Sequence, residues 1–195
     1  FVGSVTAMDA AIGKLLDLLN QYKIADNTIV IFFSDNGGGG AADNEPLRGG
    51  KGQMFEGGIR VPCIVRWPGQ VPAGRVNNAV FATIDFLPTF ATLCGFEVPK
   101  DRHIDGIDQT DLLFGRRGTG REYFYFDRAG VRKGKWKYLR ANAHFYGYAV
   151  DDRRPKAEEL YDLEADLGES TNLAAKHPKV VAELKSLMEE IERYD

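Results

Sequence analysis

The sequence predicts an α/β fold, with part of a parallel-sheet domain over residues 1–115 and a small antiparallel sheet with a C-terminal helix over residues 116–195. Three observations predict it. Apolar residues recur at helical spacing near the start and run directly into a short, unbroken β-branched segment. A glycine-rich loop follows that segment. Beyond residue 115, short aromatic and apolar runs separated by turn residues give way to one last amphipathic stretch.

Val5, Met8, Ile12, Leu15, Leu16 and Leu19 predict an amphipathic helix reaching about Gln21. The turn Ala25-Asp26-Asn27 leads into Thr28-Ile29-Val30-Ile31-Phe32-Phe33-Ser34, a continuous run suited to a strand buried on both faces of a parallel sheet. Helix, short turn and buried strand are half of a βαβ unit. From residue 41 to 58 no period is visible, and such long loops within domains are usually functional or disordered. Arg60 to Trp67 reads as a second strand stopped by Pro68-Gly69. Residues 82–94 read as a helix with Asp85 at its N-cap, Pro88 in its first turn and Gly95 as its stop. Glu122 to Phe126 and Val131 to Leu139 predict short antiparallel strands, the latter folded at Lys133-Gly134 into a half-buried hairpin with surface lysines. Pro178 opens a closing helix whose inner face is Val180, Val181, Leu184, Leu187, Met188 and Ile191.

Composition removes several function classes. The 195-residue chain is 44% hydrophobic and 27% charged, with a net charge of −3, which gives no electrostatic case for nucleic acid or an anionic membrane surface. No apolar run reaches the length of a membrane span. The chain starts at Phe1 with no signal pattern, so a cut or processed chain is expected and its compartment is unreadable. Cys63 and Cys94 are expected to be buried thiols, not a disulfide. His103, His144 and His177 share no ligand spacing and are read as surface or capping residues, His177 capping the last helix.

Chemistry concentrates between residues 31 and 52. Asp35 and Asn36 stand where a strand breaks into four glycines, and ligands of open parallel sheets bind at such strand ends. A carboxylate and an amide are hard oxygen donors suited to Ca²⁺ or Mg²⁺. Asp-Asn-Gly is equally a common turn sequence, and both readings stand at this point. Two donors supply only part of the roughly six to eight that calcium takes. Lys51, in Leu47-Arg48-Gly49-Gly50-Lys51-Gly52, is either a solvated loop lysine or one that approaches an anion unobstructed. A Walker A loop is excluded, because Glu45 replaces its first glycine and Gly52 its Ser or Thr. Asp162 to Gly168 lacks the glycine position and closing glutamate of an EF-hand and reads as a solvated acidic turn.

Taken in order, several segments resemble the sulfatase family of the alkaline-phosphatase-like superfamily. They are Asn27 to Gly37, Leu47 to Gly52, Glu56-Gly57-Gly58-Ile59-Arg60-Val61-Pro62, Arg66-Trp67-Pro68-Gly69, Thr83 to Thr89, Glu159 to Asp166 and Asn172-Leu173-Ala174. The resemblance implies the C-terminal portion of a sulfatase. By it, Asp35 and Asn36 are the second pair of ligands to a divalent cation, generally calcium, and Lys51 contacts sulfate oxygens. Glu56 and Arg60 match the family's loop-to-strand pattern and are read as organisers of that loop, not as reacting groups. The resemblance also implies a formylglycine nucleophile, but no Cys or Ser here stands in a Cys/Ser-x-Pro/Ala-x-Arg motif. Nucleophile, first metal ligands and catalytic histidine are therefore expected in a missing N-terminal portion, and this segment alone is expected to be inactive. The implied substrate is a sulfated small molecule or sugar. Two alternatives remain: a phosphonate or phosphate-ester hydrolase of the same superfamily, and a non-catalytic binding or structural module.

Overall fold

The computed structural model describes residues 2–116, 120–143 and 155–193. By its contacts the chain forms two compact units, Phe1–Phe32 with Cys63–Glu122, and Phe33–Pro62 with Tyr123–Asp195. The glycine-rich loop thus groups with the antiparallel sheet, for reasons that its side chains make plain below.

In the first unit, helix α1 (Val2–Gln21) is followed by strand β1 (Val30–Phe33). None of the helix residues is buried among the described residues, and β1 is half-buried with Phe33 exposed. The expected burial of β1 on both faces is therefore not seen. Among the described residues it pairs with strand β2 (Cys63–Arg66) alone. Trp67 closes β2 by donating its indole N–H to the Asp26 carbonyl at 2.9 Å. The helix expected at 82–94 is a short 3₁₀ turn, Thr83–Asp85, running into α3 (Phe86–Leu93), with Gly95 at φ +72° as the stop.

Asp85 stands at the N-cap position of α3, as expected, but its side chain makes no cap hydrogen bond there. Its fully buried carboxylate accepts from the Ala82 and Ile107 amides at 2.9 Å and from the Arg121 guanidinium at 2.7 Å. A short helix α4 (Thr110–Leu113) completes the unit's helices. Both cysteines lie exposed and unpaired, not buried as expected.

In the second unit, the short helix α2 (Glu56–Ile59) ends the glycine-rich loop. Strands β3 (Tyr123–Phe126), β4 (Gly130–Lys133), β5 (Trp136–Leu139) and β6 (Glu159–Asp162) form an antiparallel sheet in that order. The β4–β5 turn falls at Gly134, whose φ of +56° belongs to the left-handed region that glycine enters without steric cost. Helix α5 (Pro178–Ile191) places Val181, Leu184 and Met188 against Val131, Tyr138 and Leu160.

Side chains alternate across a strand, so Leu139 and Tyr161 face the other way, where Phe55 packs on them. The sheet is therefore buried on both faces, by α5 on one and by the end of the loop on the other. His177 precedes α5 without making a side-chain cap. Its ring instead packs on Trp136, with centroids 5.0 Å apart. The acidic turn after β6 is held by its own carboxylates, Asp166 accepting from the Ser170 and Thr171 amides at 2.8 Å. No helix among the described residues is long and apolar enough to cross a membrane.

Candidate active site

Asp35 and Asn36 leave the end of β1 with Asp35 exposed and Asn36 half-buried. Their backbone is fixed from both sides. The Ser34 hydroxyl donates to the Asn36 carbonyl at 2.8 Å, and the Gly37 amide donates to the Gly58 carbonyl at 2.8 Å. Gly37 lies so close to the backbone of Gly57 and Gly58 that a β-carbon has no room, which is why glycine stands there. Among the described residues, no hydrogen bond or ion pair engages the Asp35 carboxylate, the Asn36 amide or the Lys51 ammonium. The side-chain-to-backbone bond of an Asx turn is thus not made by Asp35 or Asn36.

Lys51 is exposed, but its main chain is held: its amide donates to the Gly38 carbonyl at 3.0 Å. The pair and the lysine, which the sequence presents as separate candidates, therefore share one folded loop. Two amide side chains stitch it. Asn44 accepts from the Gly38 amide at 3.0 Å and donates to the Gly38 and Gly49 carbonyls at 2.8 and 3.1 Å. Gln53 accepts from the Gly50 amide at 2.9 Å.

The base of the loop rests on charge that was not legible beforehand. Lys137, expected on the surface, is completely buried on the face of the sheet that the loop covers. Its ammonium lies 2.9 Å from Glu56 Oε1 and 2.8 Å from Glu169 Oε1, the second contact lacking a well-aligned hydrogen bond. The other Glu169 oxygen accepts from the Glu56 amide at 2.6 Å, and Arg60 approaches Glu56 Oε2 at 3.4 Å.

Burial pushes both carboxyls up. At Glu56 the charge and hydrogen bond of Lys137, with Arg132 and Arg60 adding, outweigh it and hold the carboxyl below its ordinary value. At Glu169 burial prevails over Lys137 and the carboxyl stays above it. Arg48 ties the loop to the sheet as well. It donates to Tyr161 Oη at 2.5 Å and to the Glu169 carbonyl at 3.2 Å, and its guanidinium stacks 3.8 Å above Phe55.

Of the histidines, two have other neighbours and one is not described. His103 is exposed beside Asp105, His177 sits on Trp136, and His144 lies outside the described residues. No group of three or more His, Cys, Asp or Glu among the described residues is placed to hold a metal. The donor types of Asp35 and Asn36, a carboxylate and an amide oxygen, fit a hard divalent cation, and they amount to part of a coordination shell.

Comparison with known proteins shows the family. The sulfatase family model matches residues 1–96, and the model for the C-terminal region of N-sulphoglucosamine sulphohydrolase matches residues 50–194. The chain belongs to the sulfatase family. It is 34% identical to an N-acetylgalactosamine-6-O-sulfatase of Bacteroides thetaiotaomicron, over 96% of this chain and 40% of that protein. A crystal structure of a sulfatase from Pseudoalteromonas sp. superposes with a TM-score of 0.81 at 28% identity, covering 97% of this chain and 42% of the other. A second structure, determined with its substrate D-glucosamine-2-N,6-O-disulfate, gives 0.72 at 31% identity, covering 97% and 39%. The chain thus spans about 40% of the length of that N-acetylgalactosamine-6-O-sulfatase.

Proposed function

We propose that this chain is the C-terminal part of a sulfuric ester hydrolase, acting on a sulfated small molecule or sugar, in which Lys51 holds the sulfate and Asp35 and Asn36 hold calcium. The observation that carries the reading is the bond from the Lys51 amide to the Gly38 carbonyl, which holds the main chain of an exposed lysine beside the glycines that follow Asp35 and Asn36. Sulfuryl transfer builds negative charge on the peripheral and leaving oxygens. A cation fixed in advance stabilises that charge without reorganising during the reaction. Lys51 supplies the positive charge, on a main chain that is already held. Asp35 and Asn36 offer hard oxygen ligands to a divalent cation, which when bound polarises the sulfate oxygens. The formylglycine nucleophile and the remaining ligands come from residues outside this chain. Parts of such a centre act as a unit, so this chain alone turns over nothing measurable.

Two assays test the reading. The purified 195-residue chain is incubated with calcium and an aryl sulfate, and release above buffer would overturn the division of the site. The whole protein is then assayed on matched sulfate and phosphate esters. Faster sulfate hydrolysis supports the proposal. Preference for phosphate assigns the protein to the phosphate-ester hydrolases, and no turnover of either ester makes it a binding module.

A further inference from the structure

Asn44 lies between the two halves of the candidate site and spends its whole amide on them. Its Oδ1 accepts from the Gly38 amide at 3.0 Å, and its Nδ2 donates to the Gly38 carbonyl at 2.8 Å and to the Gly49 carbonyl at 3.1 Å. The orientation of the amide is fixed by its partners, since reversal would set its oxygen against two carbonyl oxygens. Gly38 follows Asn36 by two positions and Gly49 precedes Lys51 by two. One half-buried side chain therefore ties the backbone carrying the proposed cation ligands to the backbone carrying the proposed sulfate holder. The bond from the Lys51 amide to the Gly38 carbonyl at 3.0 Å joins the same two stretches through the main chain.

The geometry points to Asn44 as a positioning residue for sulfuryl transfer, setting the placement of Lys51 relative to Asp35 and Asn36. This rests on the function proposed above. Asn44 touches no reacting atom and acts through Lys51. Its removal leaves the carbonyls of a partly exposed loop that water can reach, so fold stability changes little while the placement of the ammonium is lost. Displacement of a reacting or stabilising group by an ångström is enough to cost about 10²-fold in rate.

The test has two arms. In the purified chain, Asn44→Ala is expected to speed hydrogen exchange at the Gly38 and Lys51 amides and leave the Val131 and Tyr138 amides of the sheet protected. Unchanged exchange at Gly38 and Lys51 would overturn the inference. In the whole protein, Asn44→Ala is expected to lower kcat by about 10²-fold. In a Lys51→Ala background the same substitution costs less than about threefold, because its target is already gone. A general loss of folded protein would multiply in both backgrounds, and full additivity would sink the proposal. Asn44→Asp keeps the acceptor but turns a carboxylate onto two carbonyls, and it is expected not to rescue. The cycle is run on whichever ester the whole protein hydrolyses, so a preference for phosphate overturns the sulfatase reading without touching the Asn44 result. Should neither ester be hydrolysed, the functional reading falls and the exchange rates still decide whether Asn44 holds the loop.

Discussion

The Lys137 ammonium lies 2.9 Å from Glu56 Oε1 with both side chains withdrawn from solvent, so the last turn of the glycine-rich loop stands on a buried ion pair. Glu169 closes the group from the other side at 2.8 Å. Removing the charge between two buried carboxylates leaves them facing each other uncompensated. Lys137→Met is therefore expected to cost about 3–5 kcal/mol, far more than its lost contacts alone. Urea unfolding of the 195-residue chain measures it, and a cost below about 1 kcal/mol would show that the group is not sealed from water as described.

What the sequence made legible and what it hid divide along one line. Local signals were readable: the Gly134 turn, the helix opened by Pro178, and the Asp35-Asn36 pair at a strand end all depend on neighbours in the chain. Lys137 was misplaced because alternation in Trp136-Lys137-Tyr138-Leu139 tells which residues share a face and not what covers that face. Its partner Glu56 lies 81 residues away. Asp85 was readable as the N-cap position of α3 from its neighbours, but the partner of its carboxylate, Arg121, is 36 residues on. Within the site, the chemical types of Asp35, Asn36 and Lys51 were visible. The fold that sets Lys51 against Gly38 was not, since the glycines between them carry no pattern to read.

Arg48→Lys tests how the loop is tied to the sheet. The guanidinium donates to Tyr161 and to the Glu169 carbonyl while its carbon lies over Phe55, 3.8 Å from the ring centroid, and an ammonium cannot do all three at once. A loss of about 1–2 kcal/mol is expected in urea unfolding. Equal stability of the two proteins would mean that charge alone, without planar geometry, suffices at this position.

Two glycine substitutions should move stability in opposite directions. A β-carbon at Gly37 runs into the backbone of Gly57, which cannot yield as a side-chain tip would, so Gly37→Ala is expected to cost about 1–3 kcal/mol. Gly13 sits inside α1 with nothing near its missing β-carbon, and Gly13→Ala is expected to stabilise by about 0.5–1 kcal/mol. Thermal melts of both variants beside the parent decide the matter.

Both thiols of the chain reach solvent, so a disulfide-exchange reagent should titrate Cys63 and Cys94 without denaturant. Their rates should differ. Enough protein surrounds Cys63 for burial to raise its thiol, which lowers the reactive thiolate fraction. Cys63 is expected to react more slowly than Cys94, as single Cys→Ser variants would resolve. A thiol that reacts only after unfolding would contradict the exposed placement.

The carboxylates around Lys137 predict a pH dependence with opposite signs. At Glu56, burial raises the carboxyl but Lys137 and the nearby arginines more than reverse it, leaving it below the ordinary 4.5. Its contribution to stability is present above that value and lost as pH falls through the lowered one. At Glu169, burial wins against Lys137 and the carboxyl stays above 4.5. The folded state then binds a proton more tightly than the unfolded chain, so this contribution is complete at low pH and declines as pH rises through the raised value. Glu169→Gln keeps an oxygen for the Glu56 amide and removes the titration. It also takes a negative neighbour from Glu56, which lowers that carboxyl further and moves its transition to more acid pH. Between about pH 4.5 and pH 7, the variant should therefore gain stability relative to the parent as pH rises. Urea midpoints for both proteins across that window measure the difference. A constant difference would mean that Glu169 does not titrate there, and a difference of the opposite sign would mean that Lys137, not burial, governs it.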